Sequence, residues 1–289
     1  MLAVFVIFLR EGVEASMIVA ILLSYLDRAG MRRHFRDVFA GVAAALLLAG
    51  AGGVAIYLTV RTYAGTRGQA IFETATFALA AVLLTYMTFW LRAHARSISA
   101  ELRDRAERAA GRGERLGLAL LAFQAVGREG LETAVFTLAI VFATGTRGTI
   151  LGGLAGLALA LALAVVTYRL GRRINLARFF TVVGALLMVF AAGLVADTVE
   201  NLQSLGWLSV LRAPLWNSSH LLAEGSALGD VFHSFFGYAD RPSLLQLLSY
   251  LTYLVTVLAL FLRGGRRAPR AERARAALRA PAPTGPAGR

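Results

Sequence analysis

Two short stretches of this chain carry charge where charge is costly. Arg10-Glu11-Gly12-Val13-Glu14 and Arg128-Glu129-Gly130-Leu131-Glu132 share the pattern Arg-Glu-Gly-x-Glu, spaced 118 residues apart, and each lies inside a long apolar run. On a helix Glu11 and Glu14 lie about 60° apart and Arg10 about 40° beyond Glu14, so the three share one face, as do Arg128, Glu129 and Glu132. A charge at mid-membrane costs a few kcal/mol, and six of them must be relieved by pairing or by water. Arg10 with Glu14, and Arg128 with Glu132, can pair within their own helices. Brought together, the two motifs hold four glutamates against two arginines. The excess negative charge suits a cation.

Four carboxylates offer up to eight hard oxygen donors, which favour hard metal ions over soft ones such as copper(I). Gly12 and Gly130 sit between the glutamates and are expected to let the two motif helices approach closely. The arginines are expected to keep the glutamates ionised and oriented. Two other uses fit the same residues: buried Arg–Glu pairs that only fix helix packing, and a proton relay.

The elements that position these motifs follow from composition. The 289 residues carry a net charge of +13, from 30 arginines and no lysine, which ordinarily points to nucleic acid; yet 57% of the chain is hydrophobic and only 16% charged. That balance excludes an ordinary soluble basic domain and makes the bilayer the solvent. Without cysteine there are no disulfides, thiolate metal sites, cysteine nucleophiles or iron–sulfur clusters. Four histidines, none sharing an apolar run, give no support for a bis-histidine haem.

Seven apolar runs near the 20 or so residues that span a bilayer are read at Met1–Leu26, Val38–Val60, Ile71–Leu91, Leu116–Thr144, Thr149–Tyr168, Phe179–Ala196 and Leu244–Leu262. Lipid leaves no free backbone unsatisfied, so each is expected to be a helix. Counting loops in alternation places 23 arginines on one side and five on the other, which sets the N-terminus outside and the C-terminus in the cytoplasm. Met1–Leu26 has no basic leader before its apolar stretch and is expected to stay in the mature protein.

The motif repeat has a fainter companion. Gly41 to Tyr57 in the second run and Gly152 to Tyr168 in the fifth enclose similar Gly/Ala/Leu-rich helix with the same spacing of 16. Runs one to three and four to six are therefore expected to be repeats, of opposite orientation because three is odd. Such inverted repeats place substrate sites near the midplane between them. The expected fold is an all-α polytopic membrane protein of seven helices, an inverted 3+3 repeat plus one. A permease domain spans 1–263, with repeat one about 1–92, repeat two about 116–197, an outer loop 197–243 and the last helix 244–262. Residues 264–289 read as a disordered Arg/Pro/Ala-rich cytoplasmic tail, drawn to anionic lipid and not to nucleic acid.

These residues resemble the iron permease family, which comprises the fungal high-affinity iron permeases and the bacterial EfeU-type transporters. Its hallmark is Arg-Glu-Gly-x-Glu in the first and fourth of seven spans. The resemblance covers roughly residues 1–263, including Gly237-Tyr-Ala-Asp-Arg-Pro-Ser before the last span. It implies iron uptake with Glu11, Glu14, Glu129 and Glu132 as ligands, and Arg10 and Arg128 as supporting ion pairs. It further implies a ferric cargo prepared by an extracytoplasmic oxidase or iron-delivery protein. A long extracytoplasmic N-terminal domain like that of some bacterial members is not expected here, so that partner is expected to be separate. Relatives associated with lead keep another hard or heavy cation, such as lead or manganese, as an alternative cargo.

Other residues are weighed more simply. Glu73, Asp197 and Glu200 form a candidate outer mouth, in or beside a loop stretch, 197–243, of net charge −3 that also holds Glu224, Asp230, Asp240, His220 and His233. A solvated loop is the plainer account. Trp207, Trp216 and Phe232, Phe235 and Phe236 are expected to anchor at the interface. Glu101 and Asp104, each four residues before an arginine, predict a salt-bridged cytoplasmic helix. No nucleotide-binding loop exists in a chain without lysine, and no hydrolase spacing appears, so the chain is not read as an enzyme. No permanently bound cofactor is expected: iron is cargo. A membrane scaffold that transports nothing is the rival class. The setting is the bacterial plasma membrane, the cell inner membrane.

Overall fold

The computed structural model describes residues 2–94, 98–111, 115–144, 147–170, 176–223 and 226–279. It is all helical, with no strand among the described residues beyond one isolated bridge between Pro214 and Ser243. The helices are α1 (Leu2–Arg28), α2 (Phe35–Thr62), α3 (Arg67–His94), α4 (Ile98–Gly111), α5 (Arg115–Thr144), α6 (Arg147–Leu170), α7 (Leu176–Ser204), α8 (Ala227–Phe236) and α9 (Leu244–Arg279). A short 3-10 turn, Arg32–His34, links α1 to α2.

Five helices are long and apolar enough to cross a membrane, over Arg32–Thr62, Arg67–Ala93, Gly148–Val166, Arg178–Ser204 and Leu244–Arg263. Helices α1 and α5, of 27 and 30 residues, match them in length and differ in carrying the motif charges. Every one of the seven apolar runs lies largely within a helix. The outward faces are leucine-rich: Leu47 on α2 and Leu154 on α6 are 73% and 61% exposed. In water that would be a liability; against acyl chains it costs nothing.

The packing pairs helices across the two motif-bearing halves. Helix α1 packs chiefly on α6, α5 on α2, and α3 on α7, with α1 and α5 in contact at the centre. Exchanging the first three-helix set for the second turns the α1–α6 contact into the α5–α2 contact and leaves α3–α7 and α1–α5 unchanged, the pattern of a two-fold relation between sets. A core of Ala3, Val4 and Ile7 of α1, Phe77 and Leu84 of α3, Phe136 and Ile140 of α5 and Leu187 and Phe190 of α7 ties the four inner helices together.

Two glycines show why the sequence folds this way. A Cβ on Gly12 would come within 2.7 Å of Ala160 Cβ on α6, and one on Gly130 within 2.9 Å of Ala49 Cβ on α2. Ala49 and Ala160 are 111 residues apart, as are Gly41 and Gly152, so the two close approaches are copies of each other. The expectation that these glycines bring α1 against α5 is corrected accordingly. One residue past a glutamate is about 100° around the helix, which turns Gly12 toward α6 and Gly130 toward α2 while the glutamates face the centre.

Outside the bundle, α8 is capped at its start by Ser226, whose Oγ accepts from the Gly229 backbone N–H at 3.0 Å. It ends at Gly237, in a left-handed conformation with φ 64° that glycine adopts without strain. Helix α4 carries the expected ion pairs Glu101–Arg105 and Asp104–Arg108. Helix α9 continues past the apolar run ending at Leu262 to Arg279. It thus takes in residues 264–279 of the segment expected to be disordered, where alanine and arginine are strong helix formers. Residues 280–289 lie outside the described residues.

Candidate metal site

The motifs meet where α1 and α5 cross. Arg10, Glu11, Glu14, Glu129 and Glu132 are all buried, between 1% and 7% exposed. Arg10 Nε donates to Glu14 Oε1 at 3.0 Å, and its Nη1 lies 3.2 Å from Glu11 Oε1. Arg128 Nε donates to Glu132 Oε1 at 3.0 Å. The within-helix pairs expected from the spacing are thus present in both copies.

One oxygen each from Glu11, Glu14 and Glu129 lie within 4.8 Å of one another. Helices α1 and α5 therefore supply one carboxylate cluster, and a single hard cation can be ligated by all three. Glu132 stands outside that set, held by Arg128. Glu11 Oε2, Glu129 Oε2 and Glu132 Oε2 are buried without a hydrogen-bond donor, and Glu11 Oε1 has only its ion pair with Arg10. Buried carboxylate oxygens lacking donors are rare in proteins and costly. A bound cation would satisfy them.

The two arginines are not equivalent. Arg10 is 1% exposed, whereas the Arg128 side chain is 41% exposed. The Arg128 guanidinium carbon lies 4.9 Å from the centroid of the Trp90 ring on α3, and its Nη2 lies 2.6 Å from Met87 Sδ. A guanidinium over an indole gains about 0.5–2 kcal/mol. Met87 and Trp90 sit in an apolar run with nothing in their spacing to mark them, so the sequence reading passes over both.

Beside the cluster a cavity of about 1260 Å³ opens between α1, α2, α5 and α6, with Glu11 and Glu129 in its wall. Asp27 and Arg32 stand at one end, paired with each other. That hydrogen bond from Arg32 holds the Asp27 carboxyl below the usual carboxylate range. Thr149 and Ile150 stand at the other end.

The residues of the candidate outer mouth lie in separate settings. Glu73, near the start of α3, accepts from Gln69 Nε2 at 2.6 Å and lines a cavity of about 230 Å³ with Tyr57, Arg61 and Phe142. Glu200, at the end of α7, accepts from Gln246 Nε2 at 2.9 Å, and Asp197 is buried at 8% exposed. Arg67 Nη2 donates to the Leu205 carbonyl at 3.1 Å, which brings the start of α3 to the end of α7. His233 is buried with Nδ1 2.8 Å from the Tyr238 carbonyl oxygen, a loop-fixing contact. Trp207, Trp216, Phe232 and Phe236 are each more than 40% exposed. Glu224 lies outside the described residues, and the side chains of Asp230 and Phe235 are not among those described.

Comparison with known proteins agrees with the motifs. The chain is 33% identical over 245 residues to the ferrous iron permease EfeU of Escherichia coli O6:K15:H31, covering 84% of this chain and 88% of that protein. It is 33% identical to the Shigella sonnei protein of the same name over the same shares, and 31% identical to that of Yersinia pestis, of which 86% is covered. These relatives are transporters, not enzymes. No solved structure matches the chain. Residues 1–268 match the iron permease FTR1 family, and the chain belongs to that family.

Proposed function

We propose that this protein imports iron across the bacterial plasma membrane through the carboxylate cluster between α1 and α5. The observation that carries the reading is that Glu11, Glu14 and Glu129, drawn from two repeats, bring oxygens within 4.8 Å of one another in a buried setting. In this reading seven helices, α1, α2, α3, α5, α6, α7 and α9, cross the membrane. The N-terminus is outside and the α3–α5 connection is cytoplasmic. Glu11, Glu14 and Glu129 hold the ion, and Glu132 joins them from the next turn of α5. Arg10 and Arg128 limit the negative charge of the cluster while it waits for cargo. Glu73, Asp197 and Glu200 gather cations at the outer end.

Carboxylates bind either iron ion. The relatives are named for the ferrous form, and a ferric cargo requires an oxidase partner on the outer side. The proposed cargo is iron in whichever state is delivered, with lead and manganese as the competing cations to be tested.

Equilibrium binding of iron to the purified full-length protein in detergent tests the site. One ion per chain is expected, with at least about tenfold weaker binding in Glu11→Gln, Glu14→Gln and Glu129→Gln, each of which removes one anionic ligand. Unchanged binding in all three overturns the assignment.

A further inference from the structure

The long cavity has two legs leading away from the glutamates, and the duplication makes them comparable position by position. On α5, Glu129, Thr133 and Thr137 recur every four residues and all face the cavity. Successive members are about 6 Å apart along the axis. The Thr133 hydroxyl donates to the Glu129 carbonyl at 2.7 Å and the Thr137 hydroxyl to the Thr133 carbonyl at 2.6 Å. With their protons committed to the helix, both hydroxyls turn only oxygen lone pairs to the cavity. That is the chemistry a cation needs.

The 118-residue spacing that relates the motifs puts Ala15 and Val19 on α1 where Thr133 and Thr137 stand on α5. Ala15 and Val19 also line the cavity. Ser16 gives that leg one oxygen beside Glu11, its hydroxyl donating to the Val13 carbonyl at 3.0 Å. Beyond it come Val19, Ala20 and Leu23 before Ser24 and Asp27. The interval from Ser16 to Ser24 is about 12 Å along the axis, without an oxygen from α1. Two legs that start from the same motif thus differ in kind: one is a ladder of acceptors, the other largely hydrocarbon.

We propose that Thr133 and Thr137 form the outer leg of the ion path to Glu129 and Glu11, and that Val19 and Leu23 form a dry barrier on the inner leg. The proposal rests on the metal site and the orientation given above. Hydroxyl oxygens replace part of the ion's hydration shell in short steps on the way in, as carbonyls and carboxylates do in other cation paths. The dry interval resists ions and protons until the inner leg opens. The asymmetry supplies a direction that the symmetric motifs alone lack.

The absence of cysteine makes accessibility the direct test. Thr133→Cys, Thr137→Cys, Val19→Cys and, as a lipid-facing control, Leu47→Cys are exposed in oriented vesicles to a membrane-impermeant methanethiosulfonate reagent from outside. Thr133→Cys and Thr137→Cys are expected to react at least about tenfold faster than Leu47→Cys, because only thiolates in water react. Val19→Cys is expected to resemble the control. Threonine variants that react no faster than Leu47→Cys overturn the proposal.

Uptake separates this proposal from the site itself. The Thr133→Val/Thr137→Val variant keeps volume and loses both oxygens; it is expected to bind one iron as wild type does while importing it about tenfold more slowly. Thr133→Ser/Thr137→Ser is expected to restore the rate. Wild-type uptake by the valine pair overturns the outer leg and leaves the glutamate site standing, whereas normal iron binding by Glu129→Gln fells the site reading first.

Discussion

Arg10 Nε lies 3.0 Å from Glu14 Oε1 with both side chains buried, and Arg128 Nε lies the same distance from Glu132 Oε1 with its guanidinium half open. One ion-pair geometry therefore sits in two environments. Removing the arginine from the closed copy strands Glu11 and Glu14 as uncompensated buried carboxylates; for such a buried pair the loss is about 3–5 kcal/mol. Arg10→Leu is expected to lower the detergent melting temperature strongly, and Arg128→Leu much less. Equal shifts would contradict the asymmetry.

The glycine contacts give a paired test. Gly12→Ala places a methyl 2.7 Å from Ala160 Cβ, and Gly130→Ala one 2.9 Å from Ala49 Cβ. Overpacking of this kind costs about 1–3 kcal/mol. Ala160→Gly is expected to rescue Gly12→Ala and not Gly130→Ala, while Ala49→Gly does the reverse. Thermal melts of the four singles and the double mutants read out the coupling directly.

Much of this fold was legible from residue order alone. Long apolar runs must be helices in lipid, so residue order alone places the helices carrying the site. The repeated Arg-Glu-Gly-x-Glu fixed which residues face one another, because helical spacing puts Arg10 and Glu14 on one face. What escaped was the partner of each surface. Gly12 and Gly130 look like devices for joining α1 to α5, yet they serve α6 and α2, since a glycine's neighbour depends on a rotation that spacing within one helix does not specify. Trp90 escaped for a related reason: an aromatic inside an apolar run carries no sign of the cation above it. Thr133 and Thr137 were within reach, one and two turns beyond Glu129 on the same face.

Trp90 offers a test of how Arg128 is held. Trp90→Leu removes the ring under the guanidinium, worth about 0.5–2 kcal/mol, and leaves Glu132 without a well-placed partner. Iron uptake is expected to show a raised KM, with Trp90→Phe nearer wild type because it keeps a ring face. Identical KM values for the leucine and phenylalanine variants would assign Trp90 to packing alone.

The central claim is that a cluster of glutamates from two repeats carries iron across the membrane. Its most direct test is radiolabelled iron uptake into proteoliposomes holding wild type, Glu11→Gln or Glu129→Gln, with insertion verified and with lead and manganese as competitors. The account predicts saturable uptake by wild type and its loss in both variants, each correctly inserted and folded. Uptake at the wild-type rate in both glutamine variants would contradict it.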